Sequence, residues 1–386
     1  MSERQPLYRD PSWRAVVAAF VLNGLLFGAW ASRVPAFKDG FELEPYRLGA
    51  LLLALAGGAI VSFPFAGALS EKWGADRLTI LCSWGYAPSL VLLALAPTPL
   101  TLGIALFLFG AFHGAMDVAM NGWGARVEEH LKRSTMSIFH ATFSLGAGLG
   151  AASGFVAAGL QVPPLWHFAL LAIAGGIGAL AVMNSTTPLV SKSHENPPAE
   201  TSFLALPHGP LVFVGLIAFS ASLGEGAMAD WSAVFLRLVT DANEARAALG
   251  YAVFSVMMVI TRLLGGVLVE SLGPVKTTRI CTGIAFLGCL IAIFGGSFGS
   301  ALFGFALMGV GYAVVMPLVF SRAAADPNVP AGPAIASVAT LGYGGMLLGP
   351  PVIGFVAQFT GMRLSFLVLA ALAFLAMILA DKLRVS

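Results

Sequence analysis

The stretch "GALSEKWG" at residues 67–74 has a counterpart, "GVLVESLG", at 266–273, with Gly, Leu, Glu and Gly in step. Two further pairs keep nearly the same offset. "ALFLFGAFHGAMDVAM" (105–120) aligns with "ALFGFALMGVGYAVVM" (301–316), and "GFVA" occurs at 154–157 and again at 354–357. One short match would be chance, but three in register mark an internal repeat. The chain is expected to consist of two homologous halves.

Composition says what the halves are made of. Of 386 residues, 58% are hydrophobic and 10% charged, whereas a soluble globular chain carries about 25% charged residues. Mean hydropathy is +0.87. Apolar runs long enough to cross a bilayer, roughly 17–25 residues each, fall near 14–33, 47–69, 78–96, 100–123, 136–160, 165–184, 210–236, 247–269, 278–297, 300–321, 334–358 and 363–381. They are too long for barrel strands and do not alternate with period two. The expected fold class is an all-α membrane protein of twelve transmembrane helices. It divides into an N-tail (1–13), a six-helix bundle (14–184), a polar linker (185–209), a second six-helix bundle (210–381) and a C-tail (382–386).

Lys and Arg placement orients the chain. With a cytoplasmic N-terminus, fourteen basic residues fall on the cytoplasmic side: Arg4, Arg9, Arg14, Lys72, Arg77, Arg126, Lys132, Arg133, Lys192, Lys276, Arg279, Arg322, Lys382 and Arg384. Six fall opposite, namely Arg33, Lys38, Arg47, Arg237, Arg246 and Arg363, and Arg262 lies within a helix. The excess puts tails and linker inside. Trp13, Trp73, Trp123, Trp166 and Trp231 lie near helix ends, as an interfacial belt requires. A net charge of +2 is too small to suggest a nucleic-acid partner. Cys82, Cys281 and Cys289 all sit in apolar runs, so no disulfide framework is expected. No short apolar h-region with a cleavage site opens the chain, and no removable signal peptide is read.

The 6+6 plan, the polar central linker and the paired loop motif resemble the major facilitator superfamily. Its loop signature runs Gly-x-Leu-x-Asp-Arg-x-Gly-Arg-Arg. Here Gly67, Leu69 and Gly74 match, Glu71 stands for the Asp and Lys72 for the Arg, while Ala75-Asp76 replaces the final pair and Arg77 comes one place late. Asn121 followed by "HATFSLGAG" (140–148) is similar to the fucose–proton symporter branch and its bacterial inner-membrane relatives. The resemblance implies alternating access by two bundles, with a substrate site at the midplane. It also implies an inner latch of Glu71, Lys72, Arg77 and Glu270, in which Glu71 faces the start of helix eleven near Pro333–Ser337, where a helix dipole favours negative charge. A merely solvated loop charge is the other reading of Glu71.

Candidate site residues lie inside the spans. His113, Asp117 and Asn121 recur every four residues and so share one face of helix four. A carboxylate at the bilayer centre costs roughly 2.5–3.5 kcal/mol on insertion scales. Two readings stay open: a satisfied polar network between helices four and five, or a proton or substrate site. The second adds His140 of helix five and Glu225 of helix seven to the proton-coupling set of Asp117 and His113. A cavity lined by Asn23, Asn121, His140, Glu225, Thr340 and Tyr343 would suit hydroxyl groups, although Asn23 could equally bond a neighbouring helix. Arg33 and Asp230, at the outer ends of helices one and seven, form an outer-gate candidate or two separate anchors. Arg262 is read as a structural residue that snorkels or meets a loop acid. "LGAGLGAASG" (145–154) lacks a preceding strand and is no nucleotide loop; Gly146, Gly150 and Gly154 suit close helix packing.

Six histidines, His113, His130, His140, His167, His194 and His208, show no HExxH spacing, so neither enzyme activity nor a metal or cofactor is expected. The expected function is a proton-coupled secondary transporter of a sugar or other small polar metabolite. It would act as a monomer in the inner membrane, with lipid, protons and the small-molecule substrate as its partners. An exporter of drugs or metabolites on the same fold is the alternative, and a non-transporting receptor a further one.

Overall fold

The computed structural model describes residues 6–133, 135–186 and 206–384, with the side chain of Ala331 set aside. Most of the expected linker, with Lys192 and His194, lies outside the described residues, as does Arg4. Within them the chain is helical and carries no strand. The helices are α1 (Pro11–Gly40), α2 (Pro45–Trp73), α3 (Ala75–Ala94), α4 (Pro99–Leu131), α5 (Met136–Gly159), α6 (Pro164–Met183), α7 (Leu211–Thr240), α8 (Glu244–Phe294), α9 (Phe298–Tyr312), α10 (Val315–Ala324), α11 (Ala331–Ser365) and α12 (Leu367–Leu379). Among the described residues, ten helical stretches are long and apolar enough to cross a membrane.

The local sequence sets these bounds. Pro11, Pro45, Pro99 and Pro164 each open a helix, where a missing N–H is harmless and the fixed φ is already helical. Thr98 caps α4 through a reciprocal box with Thr101, and Ser297 caps α9 through the same box with Ser300. Gly74, ahead of α3, has φ 93°, and Gly273, inside the 51-residue α8, has φ 77°. Only glycine adopts such angles cheaply. The two glycines that close the paired octapeptides therefore make the same sharp turn. Gly361 repeats it within α11, at φ 80°.

The run 300–321, expected as one helix, is interrupted between Tyr312 and Val315. Pro317 has no N–H to return to Ala313 O and its ring crowds that carbonyl, so the ladder breaks there.

The described chain groups into two compact units. One holds the chain through Trp30 and from Ala54 to the linker. The other holds Ala31–Leu53 and everything after the linker. In the first, glycines let backbones touch. A Cβ on Gly24 or Gly28 of α1 would strike Phe143 O or Ala147 O of α5, and one on Gly146 or Gly150 would strike Val21 O or Leu25 O. α2 and α4 meet the same way through Gly58 and Gly110. In the second unit, Gly345 of α11 lies against Phe219 O of α7. The core there is aromatic: Phe235 lies 4.5 Å from Phe366 and 5.6 Å from Phe305 between ring centroids. Outward stripes are apolar too. Leu170, Ile173 and Ile177 of α6 are all more than half exposed, as a lipid-facing helix requires.

Gly150→Leu should force α1 and α5 apart and destabilise the protein by about 1–3 kcal/mol or more. Gly178→Ala on α6, where an added Cβ meets nothing within 4 Å, should change nothing measurable. Thermal melting in detergent compares the two, and equal melting points would remove the packing role of Gly150.

The end of α10 carries a polar clamp. Asp326 accepts from Arg322 Nη1 at 3.1 Å and from the backbone N–H of Asn328 at 3.0 Å, while Arg322 Nε donates to Arg384 O at 3.2 Å. The Asn328 N–H first, and then Arg322, hold the Asp326 carboxyl below its ordinary range. A lowered folded-state value means that the stabilisation is complete above about pH 4, the unfolded value, and fades as pH falls through the folded one. Asp326→Asn should therefore lower the melting point by more at pH 7 than at pH 3. A deficit that persists undiminished at pH 3 would show that charge is not the cause.

Candidate functional site

Two polar constellations lie inside the helices, one in each unit. In the first, the α4 stripe divides between two environments. His113 is buried, with Nδ1 3.1 Å from Tyr86 Oη of α3 and its ring stacked on Phe27 of α1 at 4.9 Å. Asn23 of α1 is fully buried and donates from Nδ2 to His113 O at 3.4 Å. The network expected between helices four and five extends to α1 and α3, whose groups make the hydrogen bonds, while Phe143 of α5 stands 6.5 Å from the imidazole between ring centroids. Aromatic neighbours on those helices enclose the imidazole. The neighbouring-helix bond of Asn23 is the one formed, though its Oδ1 is buried without a hydrogen-bond partner.

One turn on, Asp117 is only half-buried. Asn121 Nδ2 donates to Asp117 Oδ1 at 3.1 Å and to Asp117 O at 2.9 Å. Among the described residues Asp117 enters no ion pair. Its side-chain partner is a neutral amide from its own helix. His140 of α5 is exposed, with its ring edge-on to Phe20 at 5.4 Å.

The second constellation centres on Arg262, whose partner the sequence did not reveal. Its Nη2 donates to Glu225 Oε2 at 3.3 Å, and its Nε donates to Ala313 O at 3.3 Å. The expected loop acid is replaced by a carboxylate within α7. Opposite charges within apolar runs were the available signal, but relative depth on two helices is not written in either run. Thr340 spends its hydroxyl on its own helix, donating to Ala336 O at 3.0 Å, and Tyr343 is exposed.

The outer-gate candidate Arg33 has a partner that the sequence reading did not offer: its Nε lies 2.9 Å from Glu244 Oε1. Glu244 opens α8 behind the Asn243 cap, where the helix dipole favours a carboxylate, and Arg33 is buried against it. Asp230 is buried on α7. A second pair, Arg237 Nη2 to Asp39 Oδ2 at 2.6 Å, also ties the α1–α2 turn to α7. Close backbone contact completes the docking: a Cβ on Gly354 of α11 would lie 2.7 Å from Pro45 O.

At the paired octapeptides, Glu71, Lys72, Arg77 and Glu270 are exposed. The charge contact formed in the first copy is Asp76 to Arg126 at 3.6 Å. Sequence reading counted Asp76 only as a departure from the motif. Here it sits in the first turn of α3, where an acid is favoured.

Removing either member of the Arg33–Glu244 pair should cost more than removing the second once the first is gone. Arg33 is buried but Glu244 keeps 34% of its side-chain exposure, so a coupling of about 1 kcal/mol is expected, between the surface and buried limits. A double-mutant cycle with Arg33→Ala and Glu244→Ala reads it from melting. Additive effects would dismiss the pair.

Residues 15–331 match the family model described as Major Facilitator Superfamily. An uncharacterized transporter, y4wD, of Sinorhizobium fredii is 46% identical over 374 residues, covering 96% of this chain and 98% of its own. Membrane protein MosC of Rhizobium meliloti is 31% identical over 358 residues, 92% of this chain and 86% of its own. Among solved structures, a mutant form of the nucleoside transporter NupG superposes with a TM-score of 0.76 at 14% identity, covering 97% of this chain and 100% of that one. A bacterial homolog of the human lysosomal transporter Spinster, inward-facing and occupied, gives 0.72 at 16% identity, with 96% and 95% covered. At those identities the structures share the fold.

Proposed function

Because the chain belongs to the Major Facilitator Superfamily and is a multi-pass membrane transporter, we propose that it moves a small polar metabolite by proton-coupled alternating access. The observation that carries this reading is Asp117. It is a carboxylate inside a membrane helix whose side-chain partner is the neutral Asn121 amide. Such a group is costly in hydrocarbon unless positive charge comes to it, and in transporters it marks the pathway. A proton taken up on one side and released on the other supplies that charge. His113, His140 and Glu225 complete the proton-coupling set, and Asn23, Asn121, His140, Glu225, Thr340 and Tyr343 offer hydrogen-bonding groups to a hydroxylated substrate.

Counting Gly273 and Gly361 as turns between spans, and α9 with α10 as one, gives twelve crossings with both tails in the cytoplasm of an inner-membrane protein. In this reading the Arg33–Glu244 and Asp39–Arg237 contacts are the outer gate, with Asp230 buried on the same helix as Arg237. They break when the outside opens. Glu71, Lys72, Arg77 and Glu270 form the inner latch.

Proteoliposomes loaded with a pH-sensitive dye test the coupling against a panel of sugars and polyols. A transported member should carry protons inward with the wild type. Asp117→Asn should abolish gradient-driven uptake yet retain substrate exchange. Undiminished gradient-driven uptake by this variant would take Asp117 out of the proton path.

A further inference from the structure

Two of the groups that hold Arg262 differ in kind. Glu225 Oε2 is a charged side-chain acceptor on α7, and Ala313 O is a backbone acceptor at the break between α9 and α10. Pro317 leaves that carbonyl without its helical donor, so Arg262 supplies the missing bond. The backbone anchor stays in place when the side-chain anchor leaves.

Glu225 is the looser of the two. It meets Arg262 through one oxygen at 3.3 Å, and its Oε1 is buried without a hydrogen-bond partner. A guanidinium and a carboxylate fixed for structure alone prefer the closed, two-bonded fork. The pair is also reachable, since Glu225 keeps 26% and Arg262 13% of their side-chain exposure. Two phenols stand near. Tyr251 and Tyr312 both lie within electrostatic reach of Glu225, and the Tyr312 ring packs so closely on Gly224 that a Cβ there would collide with it. A fixed cation, a replaceable carboxylate and two aromatic hydroxyls form a receptor for an organic acid that also carries hydroxyl groups.

We propose that Arg262 binds the carboxylate of the transported metabolite in exchange for Glu225, which takes up a proton as it is displaced. This rests on the transporter reading and narrows its substrate to a small hydroxylated organic acid. The charges balance. One carboxylate replaces another at the guanidinium, and the proton drawn from water neutralises the one released. A bare Glu225 away from Arg262 would be an uncompensated charge. The other groups that act near it are Tyr251 of α8, which Asp230 of α7 also reaches, and Tyr312 of α9, none of them a cation. Of the remaining elements packed on α7, α12 has no titratable residue, α11 has Tyr343 and Arg363, α10 has Arg322, which is engaged by Asp326, and the turn at 380–383 has Asp381, paired with Arg279, and Lys382, which sits over Phe213 at the start of α7, about three turns from Glu225.

The test uses the full chain in detergent and reads melting temperature, so it measures binding and not flux. Two matched sets of probes are used: D-gluconate, D-glucose and D-glucosamine, and D-glycerate, glycerol and serinol. In at least one set only the carboxylate should stabilise. Its apparent Kd should weaken about tenfold per pH unit as pH rises, because one proton is bound with it. Glu225→Gln keeps the shape without the charge and should bind the carboxylate with no pH dependence. Glu225→Gln with Arg262→Gln removes both charges together, which folds more readily than one charge left alone, and should abolish the carboxylate shift. Stabilisation by the neutral or amine member instead would overturn the proposal. So would the absence of a carboxylate shift in both sets, a shift that survives the double variant, or unchanged pH dependence in Glu225→Gln. Binding as expected without flux in liposomes would strike the transport reading and leave only the carboxylate-for-Glu225 exchange at Arg262 standing.

Discussion

Backbone meeting backbone is the constraint on which this fold depends. Lipid gives apolar side chains no reason to prefer one another over hydrocarbon, so helices in a bilayer associate through close contact and the polar bonds that it permits. Gly24 and Gly28 on α1 and Gly146 and Gly150 on α5 each present backbone to a carbonyl on the facing helix. Gly58 and Gly110 do this for α2 and α4, and Gly309 does it against Phe254 O for α9 and α8. The glycine richness of the chain, 45 residues, is thus partly a packing specification. Large side chains are then free to point either into aromatic cores or outward to lipid.

Tight contact makes polar groups usable. Asn23 reaches His113 O only because α1 and α4 approach closely, and Tyr86 reaches the imidazole from α3. Each bond satisfies a group that hydrocarbon would leave stranded, at the cost of fixing three helices to one another. Asp117 and Glu225 stand apart from this pattern. One has a neutral amide, the other half of a possible fork. The contrast between satisfied and half-satisfied carboxylates separates groups that hold the fold from groups with capacity left for a visitor.

The helical membrane fold was legible because hydropathy depends on each run alone. The repeat was legible in the octapeptides, and the structure shows why both copies end in glycine: Gly74 and Gly273 take positive φ. The packing role of "LGAGLGAASG" was legible in its spacing of four. What could not be read was anything set by the relative depth or rotation of two helices. The contact of Arg33 with Glu244 was not foreseen, because the depth of the start of α8 relative to α1 is not written in either run. His113 does have a neighbour on helix five, Phe143, but the hydrogen bonds at that residue come from α1 and α3, which the sequence reading did not foresee. Arg262 was read as snorkelling or meeting a loop acid, by the same ignorance of depth.

The interruption after Tyr312 links these lines. Pro317 could be seen in the sequence, yet its consequence depends on what stands opposite the orphaned carbonyl. In an apolar site an unpaired carbonyl costs about 1–3 kcal/mol, which would argue against a proline at that place. Arg262 removes the objection by donating Nε–H to Ala313 O. The same donor then positions the guanidinium beside Glu225. A break in one helix, an arginine from a second and a carboxylate from a third therefore explain one another. None of the three is comfortable alone in a membrane: the proline spoils a helix, the arginine is a charge in hydrocarbon, and the carboxylate is another. Together they satisfy the backbone carbonyl first and leave the Glu225 carboxylate engaged through one oxygen, with Oε1 unbonded, which is the order expected where a ligand completes the set.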